Sequence, residues 1–118
     1  EPEARWLLWS LWPRLLVNRL RTGRYLDVLV THAPPRGIHD QPDRCHLGFQ
    51  ALVRFMERVR PRYLIHGHVH LYGHHQRWRS TYRDTEVINA FGYRLLEVSV
   101  PGQRPDSGRR GAQCGQGG

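Results

Sequence analysis

An α/β fold built on parallel strands is predicted by three features of this 118-residue chain. Tyr25 to Thr31 (YLDVLVT) and Arg62 to His66 (RYLIH) are short runs rich in β-branched and apolar residues. The first runs into His32 and the Pro34-Pro35 pair, and the second ends at His66 beside Gly67. Between them Leu47, Ala51, Leu52, Phe55, Met56 and Val59 recur with helical period until Pro61. Strand, helix and strand make a βαβ unit, whose strands are parallel and adjacent with a right-handed crossover.

The remaining elements follow from the same patterns. From Glu3 to Arg21, the residues Leu7, Leu8, Leu11, Trp12 and Leu15 fall on one helical stripe, which predicts a segment packed on the sheet. Pro13 divides it into two short helices or one kinked helix, with Ser10 as a candidate cap for the second part and Gly23 as the stop. Trp6, Trp9 and Trp12 among arginines also suit a helix lying at a membrane interface, but the leucine stripe favours packing. After the second strand, Trp78 to Arg83, Glu86 to Ala90 and Tyr93 to Val98 read as short strands of an antiparallel meander. Alternation then places Leu29, Leu64, Ile88 and Leu96 on an apolar sheet face that needs a partner layer. From Pro101 the chain has almost nothing to bury and reads as a disordered tail. The expected organisation is a helical segment over 1–24, an α/β unit over 25–100 and a tail over 101–118.

Composition limits the function classes. The formal net charge is +8, and every basic residue is arginine. That excess suits an anionic partner, and a nucleic-acid-binding module with structural or single-zinc histidines is one reading. No zinc-finger, helix-turn-helix or RNA-recognition pattern accompanies it. Cys45 and Cys114 form no CxxC pair, which argues against a disulfide-stapled mini-protein and a four-cysteine zinc module. A reducing, cytoplasmic setting is the expectation. No apolar run approaches the roughly 18 to 20 residues of a spanning helix, so integral membrane association is excluded.

The densest chemical signal is His66-Gly67-His68-Val69-His70. It lies at the end of a buried strand, and the βαβ unit brings the end of the first strand, His32, beside it. Neutral imidazoles on loops at a sheet edge suit zinc, manganese or iron. His66 reads better as a packing or supporting histidine than as a ligand, and His74 and His75 as part of a solvated hairpin loop. The polar loop with Arg36, His39, Asp40, Asp43, Arg44 and His46 follows His32 and belongs at the rim of the same site. Within it Arg36 either meets a substrate phosphate or stays in water, and Asp43 favours the start of the following helix. Asn89 is placed to satisfy backbone groups beside Gly92.

Three stretches carry a resemblance to a known family: Asp27 to Pro35 (DVLVTHAPP), Gly67 to His70 (GHVH) and Thr85 to Gly92 (TEVINAFG). Together they resemble the calcineurin-like metallophosphoesterases, over about Leu26 to Val98. The resemblance implies the C-terminal half of a four-layer α/β/β/α sandwich that hydrolyses a phosphomonoester or phosphodiester with two divalent ions, Mn, Zn or Fe. It implies that His32 and His68 share one ion and that His70 binds its neighbour. The partners implied are a small phosphoester or nucleotide substrate and the N-terminal half of the same domain. The family's DxH, GD and GNH segments, which supply the bridging Asp and the leaving-group acid, have no counterpart in these residues. On this reading Glu1 is a cut and the isolated chain is inactive.

Overall fold

The computed structural model describes residues 1–71 and 77–98. The sequence elements at His74, His75 and 101–118 lie outside those residues. Three helices, α1 (Pro2–Ser10), α2 (Trp12–Thr22) and α3 (Gln50–Val59), accompany four strands: β1 (Val28–Thr31), β2 (Tyr63–His66), β3 (Arg79–Tyr82) and β4 (Thr85–Asn89). The sheet order is β1-β2-β4-β3. β1 and β4 both run parallel to β2, and β3 is antiparallel to β4. The fold is thus mixed α/β, and its register sets Thr31 beside His66 and His66 beside Asn89.

The core lies between the helices and one sheet face. Leu29, Leu64 and Val87 occupy matched positions on β1, β2 and β4 and pack with Leu15, Leu52, Phe55, Met56 and Val59. Of α3, the helical period buries Ala51, Leu52, Val53, Phe55, Met56 and Val59 and leaves Arg54 and Arg58 outside. The helix stops where Arg60 turns left-handed, φ 51°, and donates its amide to the Met56 carbonyl ahead of Pro61.

Several boundaries differ from the sequence expectation. α3 starts at Gln50 and not near Leu47, because Pro35 to Phe49 form a bridged loop first: the Phe49 amide donates to Pro34 O and the Arg36 amide to Phe49 O. The first amide of α3 donates to the Glu1 carboxylate at 2.6 Å, so the anion at this helix N-terminus comes from the far end of the chain. Asp43 instead pairs with His46. Pro13 does split the N-terminal segment, but the N-cap of α2 is Leu11, and the Ser10 hydroxyl donates to Leu7 O. Gly23 ends α2 with φ 79° as expected.

Two larger corrections concern the sheet and its cover. The meander is only partly formed: β3 and β4 make a hairpin, while Tyr93 to Val98 take no regular structure and leave Tyr93 and Leu95 exposed. Leu29, Leu64 and Ile88 do not form an exposed face. Leu29 and Leu64 lie under the helices, and Ile88 is fully buried on the alternate set with Val30 and Ile65. The helical segment covers the sheet less than its leucine stripe implies, since α1 buries no residue and α2 buries only Leu15.

Candidate metal centre

The strands deliver histidines to one end of the sheet. β1 ends at Thr31, so His32 is the first residue off the sheet, and β2 ends at its register partner His66. The Gly67 amide donates to His32 O at 3.1 Å, tying the two strand ends together just before His68. His68 has φ 64°, so the left-handed residue of this turn is the histidine and not Gly67. That backbone turn brings His68 Nδ1 to 3.0 Å from His32 Nε2.

Hydrogen bonding fixes which ring nitrogens face each other. His68 Nε2 lies 2.7 Å from the Cys45 carbonyl, an acceptor only, so Nε2–H donates there and Nδ1 holds a lone pair. His32 Nε2–H then donates to that lone pair. A cation between the rings would take the place of this shared proton, with His32 as the tautomer that carries its hydrogen on Nδ1. Two nitrogens each about 2.0 to 2.1 Å from one ion stand roughly 3 Å apart, so the pair fits as two ligands of one site. The carbonyl behind His68 is the kind of partner that orients a ligating imidazole.

The loop predicted at the rim is there. The His46 ring lies 5.1 Å from that of His68, and its Nδ1 pairs with Asp43 at 2.7 Å. This bond holds the Asp43 carboxyl below its ordinary range. Cys45 is an exposed free thiol. Arg36 is engaged within its own loop and with the N-terminus: its Nε donates to Gly48 O at 3.0 Å, and Glu1 lies 3.7 Å from its Nη2.

The His70 ring stacks on Phe91 with centroids 4.7 Å apart. Among the described residues no three His, Cys, Asp or Glu side chains converge as a complete metal site. Asn89, fully buried, donates from Nδ2 to Val69 O at 2.8 Å and accepts the Phe91 amide on Oδ1 at 2.9 Å. It therefore clamps the residue between His68 and His70 as well as the Gly92 turn.

A second histidine pair escaped the sequence reading. His66 is buried and donates Nδ1–H to Gly67 O at 3.0 Å, leaving Nε2 to accept from His39 Nδ1–H at 3.1 Å. His39 Nε2 accepts the Ser80 hydroxyl at 2.7 Å. Burial, then the neighbouring His66 and Arg77 charges, push His39 down to about 4, and burial lowers His66. His39 has φ 59°, a backbone angle histidine adopts more readily than most residues. The only advance signal was the histidine in a polar loop after β1, because Ser80 lies 41 residues away.

No family model matches the chain, and no solved structure matches it. A UPF0046 protein of Caenorhabditis elegans is similar to it, 46% identical over 44 residues. The similar stretch covers 37% of this chain and 15% of that protein's length.

Proposed function

We propose that this chain contributes part of a metal-dependent phosphoesterase, as the C-terminal half of a calcineurin-like catalytic domain. The observation that carries the reading is the 3.0 Å approach of His32 Nε2 and His68 Nδ1 at the ends of neighbouring parallel strands. In this reading His32 and His68 hold one divalent ion, and His70 serves the neighbouring ion. The bridging carboxylate and the leaving-group acid belong to the N-terminal half of the domain. The substrate is a phosphomonoester or phosphodiester.

The bound ions would supply a hydroxide nucleophile near neutral pH and offset charge on the phosphoryl oxygens. The chain's own residues do the positioning. Cys45 O holds the His68 tautomer that presents Nδ1, Gly67 N ties the turn to His32 O, and Asn89 fixes Val69 between the two GHVH histidines. Metal binding weakens with acid, because an imidazole must be neutral to ligate.

Calorimetric titration of the chain with Mn²⁺ and Zn²⁺ tests the assignment. One ion per chain is expected, with affinity reduced at least about tenfold by His32→Ala and by His68→Ala. Binding that survives both substitutions unchanged would overturn it.

A further inference from the structure

The N-terminal helices carry two apolar stripes, and the fold uses one. Leu8, Leu11, Trp12 and Leu15 are spaced i, i+3, i+4, i+7 and turn toward the core. Pro13, Leu16, Val17 and Leu20 repeat that spacing on the outside of α2, where Leu20 is 88% exposed and Leu16 and Val17 are each 48% exposed. On α1, Pro2, Trp6 and Trp9 line an open cleft with Arg5, and Trp6 is 78% exposed. A surface helix ordinarily turns polar residues outward, so an outer face of tryptophan, leucine and valine is built to be covered.

The charges around this face choose its cover. Arg5, Arg14 and Arg21 are exposed beside it, and among the described residues no carboxylate pairs with any of them. Of the two carboxylates on α1 and its cap, Glu1 is already engaged by Arg36 and by the Gln50 amide, and the exposed Glu3 leaves the three arginines in excess. Tryptophan and leucine bordered by arginine are the composition of a helix lying at a lipid headgroup boundary. A second copy of the chain would set the same three arginines against one another. A base-stacking surface would use aromatic rings where α2 presents aliphatic residues. Neither helix is long and apolar enough to cross a bilayer.

We propose that the outer face of α1 and α2 docks peripherally on an anionic lipid bilayer. Trp6, Trp9, Leu16, Val17 and Leu20 enter the headgroup boundary, and Arg5, Arg14 and Arg21 meet the lipid phosphates and carboxylates. The proposal is independent of the metal centre.

Co-sedimentation of the full chain with phosphatidylcholine vesicles, with and without phosphatidylserine, tests it. Binding is expected with phosphatidylserine only, weaker at high salt, with a blue shift of tryptophan emission. Leu20→Asp and Trp6→Ser change exposed side chains, so each should keep the helical content seen by far-ultraviolet circular dichroism and lower vesicle affinity about tenfold. Three results would overturn the proposal: no phosphatidylserine-dependent binding, binding unaffected by both substitutions, or a blue shift produced by self-association or a single-stranded oligonucleotide without lipid.

Discussion

Gly48 and Pro35 approach so closely that a Cβ on Gly48 would lie 2.4 Å from the Pro35 carbonyl oxygen. The three nearest atoms, Pro35 O, Pro35 C and Arg36 N, are all backbone, held by the Phe49–Pro34 and Arg36–Phe49 hydrogen bonds, and cannot yield as a side chain tip would. Gly48→Ala should therefore destabilise the chain by about 3 kcal/mol, at the upper end of ordinary overpacking. Urea unfolding measures it, and a midpoint equal to wild type would show the loop to be loosely held.

Acid should destabilise the folded chain in part through His39. Its folded value of about 4 lies below the ordinary 6.5, so between these values the unfolded chain binds more protons than the folded one. The stabilising contribution is complete above pH 6.5 and disappears as pH falls toward 4. His66 is shifted the same way by burial and adds to the slope. Thermal midpoints across this range should fall with acid, and His39→Gln should flatten the profile. An unchanged profile in that variant would remove His39 from the transition.

Asn89→Ala should cost about 3 kcal/mol, because Val69 O and the Phe91 amide each lose a partner in a buried or half-buried setting. The same substitution should loosen the GHVH turn. Faster amide exchange at Val69 than at Met56 would separate this local effect from global loss of stability.

The isolated chain should show negligible hydrolysis of bis(p-nitrophenyl) phosphate with manganese added, since no described carboxylate converges on His32 and His68. Robust turnover abolished by His68→Ala would show that these residues form a complete catalytic unit.

What the sequence revealed, and what it concealed, divides by the range of the interaction. The βαβ unit was legible because periodicity is local: the α3 apolar positions and the VLVT and YLIH strands each declare themselves within a few residues. The neighbouring ends of β1 and β2 then placed His32 beside His68 by topology alone. The start of α3 was misjudged because Leu47 matches the helical phase while its backbone belongs to the bridged loop. The His39–His66–Ser80 array was hidden because its members come from a loop and two strands without shared spacing. Leu96 failed as a strand residue because alternation was present without a pairing partner among the described residues.

The strand order also decides where the sheet is vulnerable. β1 stands at one margin, and among the described residues nothing pairs with its outer side, so its backbone amides and carbonyls form a template for a foreign strand. Val30, 72% exposed, adds an adhesive side chain to that margin. The hazard is bounded at the downstream end by Pro34 and Pro35, which have no amide hydrogen to donate to an incoming strand and whose segment already bridges to Phe49, and by the brevity of a four-residue strand. An invading chain can register against Val28 to Thr31 and little further, so the prolines beside His32 also guard this margin against runaway association.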